Sequence, residues 1–256
     1  MLISKKEYVV TLDKKQIHNI IHVYSKIKRW NIIKIVVTGP VQCGKSSYIR
    51  YFDEKSMNIE TQGQNNKHYT VGLDLASIEV NGFDVYLFGT PGLIRMQVMR
   101  EVLMGGADGI IFLIDSINPD SDTDALKILA SLQKYLKPNL PLIFCANKQN
   151  EETSRSIEDL ISIYNLQKDT KFFKINTNTG LNVMESLRHI VQAIYAQYKD
   201  VLQVIHKHQD NLNELAKELN LNLSELNNFL YNLEVKRFLE IDRVKKKVRL
   251  KPSIPL

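Results

Sequence analysis

The residues best placed by type and spacing to do chemistry begin at Gly39. Gly39-Pro40-Val41-Gln42-Cys43-Gly44-Lys45-Ser46 has the spacing G-x-x-x-x-G-K-S. A β-branched run, Ile32–Thr38, precedes it, and Lys45–Phe52 reads as a helix opening on Lys45, Ser46 and Ser47. In that setting the glycines let successive backbone N–H groups point at phosphate oxygens, and the helix start adds a partial positive charge. Lys45 would reach the β- and γ-phosphates and the Ser46 hydroxyl would ligate Mg²⁺. The plain alternative is a glycine turn followed by a chance Lys-Ser. The loop by itself does not choose between ATP and GTP.

Further candidates lie at the ends of later apolar runs. Thr70-Val71-Gly72-Leu73-Asp74 follows a polar stretch, and Phe88-Gly89-Thr90-Pro91-Gly92 closes a strand. Asn147-Lys148-Gln149-Asn150 follows the run Leu140–Ala146, and Asn176-Thr177-Asn178-Thr179-Gly180 follows Lys171–Ile175. The C-terminal ends of strands are where ligands bind in open α/β sheets.

In this order, over roughly residues 32–200, the segments resemble the Ras-like small GTPases. The likeness is nearer to the prokaryotic branch related to the gliding-motility regulators and the signal-recognition-particle-receptor β subunit. It implies GTP/GDP and Mg²⁺ as ligands. It implies that Thr70 ligates the metal with Ser46 and senses the γ-phosphate, and that the Gly92 N–H meets that phosphate. It implies that Asn147 binds the base and ties loops together, that the Lys148 stem lies over the ring, and that Asn176 and Thr177 sit in the base-edge loop. The sequence also departs from the family. Gly89 stands where an Asp holds Mg²⁺ through water. Leu93 replaces the Gln that orients attacking water, and Leu cannot hydrogen-bond. Val41 adds bulk where a partner's arginine would enter. Asn150 replaces the Asp that accepts from guanine, and an amide has a single acceptor group, so a loosened or xanthine-like preference stays open. Arg95 and Arg100 follow the second switch and are either arginine fingers in cis or members of a solvated helix face.

The elements that must position these groups follow from periodicity. Thr70–Val80 and Phe83–Phe88 are strands joined by Asn81-Gly82, a hairpin signal. Asp53–Lys67 reads as an exposed loop. Gly109–Asp115 and Leu140–Ala146 are buried strands preceded by helical stretches Gly92–Met104 and Asp122–Leu136; Lys171–Ile175 is a last strand, and one long helix runs from about Leu181 into the 200s. Such alternation predicts an α/β fold with a mostly parallel sheet and one antiparallel edge. Leu212–Leu219, Ser224–Leu233 and the alternating run Val235–Lys251 read as helix, helix and β-ribbon, a winged-helix pattern, with Ser224 and Asn227 as half of a capping box. The expected organisation is a basic N-terminal helical extension, 1–31, a small-GTPase domain, 32–205, and a winged-helix-like domain, 210–252.

Composition narrows the function class. The chain has 256 residues and two Cys, which argues against a disulfide framework and fits a reducing, cytoplasmic compartment. No window is apolar enough to span a membrane. Leu2 and the end Ser253-Ile254-Pro255-Leu256 give no myristoylation or prenylation signal. The net charge of +6 is polarised: residues 1–34 carry eight Lys/Arg against two acids, and Lys236–Lys251 carries eight against two. Basic ends suggest contact with phosphate or acidic surfaces, or simply solvated lysines. The extension Asp13–Trp30 packs on the domain, lies on an anionic membrane as a peripheral contact, or docks a partner. The reading that emerges is a guanine-nucleotide switch with slow hydrolysis, acting through its switch loops on a protein effector, with an activating protein where one completes the site. A general NTPase, and a nucleic-acid-binding regulator using the winged helix, are the competing readings.

Overall fold

β-Branched side chains favour a pleated, buried backbone, and Ile33–Thr38 forms the central strand β1, with every residue but Lys34 buried. In this computed structural model the described residues are 33–54, 60–62, 68–70, 74–136, 140–149, 152–236 and 238–251. The expected N-terminal helix and Asn150 lie outside them. After β1 come helix α1 (Lys45–Phe52), the short strands β2 (Glu60–Gln62) and β3 (His68–Thr70), and strands β4 (Asp74–Val80) and β5 (Phe83–Gly89). A 3-10 turn at Ile94–Met96 leads into α2 (Gln97–Met104), followed by β6 (Gly109–Asp115), α3 (Asp122–Leu132), β7 (Leu142–Asn147), α4 (Ile157–Ile163) and β8 (Phe172–Lys174). The chain ends in α5 (Val183–Ala196), α6 (Lys199–Lys207), α7 (Leu212–Glu218), α8 (Leu223–Val235), β9 (Leu239–Asp242) and β10 (Lys247–Leu250).

The main sheet has the order β4-β5-β1-β6-β7-β8. Only β4 runs antiparallel, against β5, as the single hairpin signal predicted. Asn81 and Gly82 both take positive φ, 51° and 81°, which is what a two-residue turn matched to strand twist requires. Alternation along the strands sorts side chains onto two faces. Ile33, Ile35 and Val37 of β1 pack with Tyr48 and Ile49 of α1 and with Leu187, Ile190 and Ile194 of α5. Val36, Phe112 and Phe144 face the other way, toward Leu103 of α2, Ile128 of α3 and Leu160 of α4. The result is a three-layer α/β sandwich with helices on both faces of the sheet.

Four expectations change. The polar stretch Asp53–Lys67 contains β2, which pairs antiparallel with β3, Glu60 opposite Thr70, so the run Thr70–Val80 is split between two strands. Helix α4, unforeseen, starts at Ser156, whose hydroxyl accepts from Asp159 N at 3.0 Å. The long last helix is two. Its backbone tightens at Tyr198, whose N–H bonds Tyr195 O at 2.9 Å, and the Tyr198 ring packs 4.9 Å from Phe238. The apolar pattern runs through the break because α5 buries one face on the sheet while α6 buries Leu202 and Ile205 beside α7, α8 and the ribbon. Finally, α8 is capped by Asn222 and not by Ser224. Asn222 Oδ1 accepts from Glu225 N and Glu225 Oε2 accepts from Asn222 N, both at 2.9 Å, a complete capping box.

Helices α7 and α8 with the antiparallel β9–β10 ribbon form the winged-helix-like part. It is seated at the starting ends of β5 and β6. Phe238, fully buried, meets Phe83 edge-on at 5.7 Å, and Lys236 pairs with Asp108. Asp108 also accepts from Lys34 N at 3.0 Å. The half-buried Lys34 ammonium donates to Gly105 O at 2.7 Å; burial pulls its pKa down to about 8, with Asp108 opposing.

Candidate nucleotide site

At the opposite end of the sheet β1 delivers the chain into the loop Gly39–Gly44, and α1 opens at Lys45. Gly44 has φ 99°, a left-handed conformation, and a Cβ there would fall 2.1 Å from Asn147 Nδ2; only glycine meets both conditions. Lys45 is buried, and its Nζ donates to Pro40 O at 2.6 Å, 3.7 Å from Cys43 Sγ. The ammonium is thereby folded back over the loop. Gln42 is the exposed residue of the loop at φ 63°, while Val41, Ser46 and Ser47 are half-buried. Burial raises the Cys43 thiol's pKa, with Lys45 pulling against it; a buried thiol held protonated packs and does not react. Cys145, also buried, is pushed up to about 12 by burial.

The second-switch segment lies directly on this loop. A Cβ at Gly92 would come within 2.7 Å of Val41 N and 2.8 Å of Lys45 Nζ, so the backbone passes where no side chain fits. What holds it there is Arg100. Its guanidinium, 2% exposed, donates to Pro91 O at 2.9 Å, Leu93 O at 2.7 Å and Ile94 O at 3.0 Å. Arg100 is therefore neither on a solvated helix face nor reaching into the site as a finger. Burial lowers its pKa, with Glu101 and Asp124 opposing, yet an arginine stays charged. Leu93 is half-buried and Arg95 exposed.

The base-side loops are tied through Asn147, the last residue of β7. Its Nδ2 donates to Cys43 O at 2.9 Å and Thr177 Oγ1 at 3.1 Å, and its Oδ1 accepts from Thr177 N at 3.0 Å. One side chain thus joins the phosphate loop to the loop after β8. Lys148, at φ 64°, pairs with Asp115 Oδ2 at 2.5 Å. Asn176 Nδ2 donates to Gln149 O at 2.7 Å, and its Oδ1 accepts from Asn178 N at 3.0 Å. The sequence reading missed the support beneath. Gln149 Nε2 donates to Ser116 Oγ at 2.8 Å. Arg155 spans Asp115 O at 2.7 Å, Ser116 O at 3.0 Å and Asp122 Oδ2 at 2.5 Å, and the Tyr164 hydroxyl donates to Asp122 at 2.8 Å. Burial, then Asp122, push the Tyr164 pKa up. Only the charge of Arg155 and Asp122 was visible in sequence, with nothing to pair them.

Hard oxygen donors lie beside the loop. The Ser46 hydroxyl donates to Asp74 Oδ2 at 2.7 Å, and Asp74 is 1% exposed. Thr70 closes β3, four positions earlier. No cluster of three or more His, Cys, Asp or Glu occurs among the described residues. A serine hydroxyl and a buried carboxylate are hard oxygen donors of the kind that suit Mg²⁺, which is held by few protein oxygens together with phosphates and water.

The strand order, the loop at the end of β1 and the site around it define a P-loop nucleotide-binding protein of the small-GTPase type. The Ras family matches residues 34–196, and the chain belongs to that family of GTP-binding switch proteins. The matched stretch ends where α5 ends. The chain is 24% identical over 182 residues to the mutual gliding-motility protein MglA of Myxococcus xanthus, covering 65% of this chain and 92% of that protein. It is 24% identical over 168 residues to Ras-related protein Rab-4B of Rattus norvegicus, covering 64% and 76%. It is 25% identical over 187 residues to EF-hand calcium-binding domain-containing protein 4B of Homo sapiens, covering 68% of this chain and 24% of that protein. No described helix is long and apolar enough to cross a membrane.

Proposed function

We propose that this chain is a guanine-nucleotide switch whose own GTP hydrolysis is slow and whose signal is read by a protein effector. The observation that carries it is the seat of Gly92 on Val41 N and Lys45 Nζ. A γ-phosphate bound at the loop would meet the second-switch backbone first, so its presence or loss would move that segment. Slow turnover follows from the side chains available. Leu93 has no group to orient water, and Arg100 is committed to three backbone carbonyls. A partner that supplies the missing group would act as an activating protein. Ser46 and Thr70 would hold Mg²⁺. Asn147, Lys148, Asn150, Asn176 and Thr177 would hold the base.

The C-terminal part favours protein docking over nucleic acid. Helix α8 contains no Lys or Arg, and base-reading helices need phosphate contacts around them. In the ribbon Arg243 pairs with Glu234, Lys247 with Asp210 and Lys251 with Glu240. Because α6 shares its buried face with this part, we place the domain boundary at Gln197–Tyr198. Contact of the basic N-terminal segment with an anionic membrane would give a peripheral, cytoplasmic protein.

The test is binding of GTP, GDP, XTP and ATP with Mg²⁺, with phosphate release followed in the same samples. Tight guanine binding with slow release is expected. Leu93→Gln should raise the rate, by up to about 100-fold if the amide positions the attacking water as well as a general base would, the low end of the range for such groups. Equal affinity for ATP would sink the guanine assignment, and preference for XTP would assign Asn150 to xanthine.

A further inference from the structure

The family's second switch begins with an Asp that holds Mg²⁺ through water, and this chain has Gly89 there. The antiparallel register sets Asp74, the first residue of β4, directly opposite Gly89, the last of β5. Residues so paired present their side chains on the same face of the sheet. A Cβ at Gly89 would fall 2.8 Å from Asp74 Cβ, 3.0 Å from Asp74 Oδ2 and 2.7 Å from Ile49 Cδ1. The Asp74 carboxylate thus fills the space into which a side chain at position 89 would grow. It is buried, and it accepts at 2.7 Å from the hydroxyl of Ser46, the phosphate-loop residue that would hold Mg²⁺ in the reading above.

We infer that Asp74 supplies, from β4, the carboxylate with which this site holds Mg²⁺, in place of the one missing at position 89. The inference rests on the nucleotide-switch reading above. Two carboxylates do not fit this strand pair, so the glycine and the transferred Asp belong together. Metal and first switch then share one stretch of chain, Thr70 to Asp74, while the second switch is anchored by Arg100 and supplies no metal ligand of its own. The alternative is that Asp74 is only a buried acceptor for Ser46.

The test uses the full chain loaded with a fluorescent GDP analogue, with release followed against free Mg²⁺. In the wild type, chelation should speed release by about tenfold or more. Asp74→Asn keeps the shape and loses the charge. It should raise the half-effective Mg²⁺ concentration by about 10–100-fold, the range for removing a group that supports a metal. Asp74→Ala with Gly89→Asp returns the carboxylate to the family's position and should restore the wild-type response to within about threefold, well inside that range. An Asp74→Asn protein with the wild-type Mg²⁺ response overturns the inference, as does a folded double variant with none. Should Asp74→Asn not fold, the double variant decides. A wild type that holds GDP without any Mg²⁺ dependence refutes the assignment of Asp74 and leaves the nucleotide reading intact. A wild type that binds no GDP removes both.

Discussion

Replacing Arg100 by Met keeps most of the buried stem and removes the guanidinium. Three carbonyls, on Pro91, Leu93 and Ile94, lose donors at 2.7–3.0 Å. Hydrogen bonds to a charged group contribute about 1.5–3 kcal/mol each. The guanidinium, however, is buried and donates to backbone carbonyls, so desolvation offsets much of that gain. We therefore expect a global loss of only about 1–3 kcal/mol. The local effect should be larger in kind. Without the clamp, residues 91–94 sample other conformations, and binding a γ-phosphate must first order them. Fixing one residue's backbone opposes binding by about 1–2 kcal/mol, so one residue's worth of lost order weakens GTP relative to GDP by about tenfold. The assay is the ratio of GTP to GDP affinity by competition, alongside amide exchange of the 90–97 segment. An unchanged ratio with faster exchange would show that the clamp does not serve the triphosphate state. Unchanged exchange would refute the clamp itself.

Other outcomes follow from the same geometry. Gly44→Ala drives a Cβ to 2.1 Å from Asn147 Nδ2 at φ 99°, so nucleotide affinity should fall by about 100-fold or more, beyond the ~1 kcal/mol of backbone strain alone; wild-type affinity would mean that the loop relaxes freely. Phe238→Ala should destabilise by about 3–5 kcal/mol in denaturant while GDP affinity at saturating fold is unchanged, because Phe238 packs at the far end of the sheet; loss of affinity in the folded variant would show that the two ends are coupled. Lys34 has its pKa lowered from 10.5 to about 8 by burial. Below about pH 8 folded and unfolded chains both hold the proton and the full burial penalty applies. Between about 8 and 10.5 the unfolded chain holds it more, so stability rises relative to a variant lacking the group. The stability gap between Lys34→Met and wild type should shift in favour of wild type across that window in urea titrations; a constant gap would contradict it.

What could be read from the residues alone were features that are local. The phosphate loop carries its own spacing and is flanked by its own strand and helix. Asn81-Gly82 announces its turn, and the unbroken apolar run Ile110–Ile114 announces a strand covered on both sides. What could not be read depends on register and burial. Arg100 sits among exposed-looking helix residues, and nothing in its neighbours reveals that the chain folds three carbonyls onto it. Asp74 was part of a motif seen for Thr70, but its opposition to Gly89 exists only once two strands are aligned. The network Gln149, Ser116, Arg155, Asp122 and Tyr164 joins four separate segments, none remarkable by composition. The helix break at Tyr198 was hidden because both halves stay amphipathic, each toward a different partner.

The strand β5 touches both working regions, with Phe83 packed on Phe238 at its start and Gly89 beside Asp74 at its end. Seven residues of strand span about 20 Å. A ligand at one pole and a partner at the other would therefore be separated by the full height of a stiff sheet and would not compete for room. On the docking role proposed above, the molecule could be moored by its C-terminal end while the nucleotide end stays open to whatever comes to read it, one end a handle and the other a signal face.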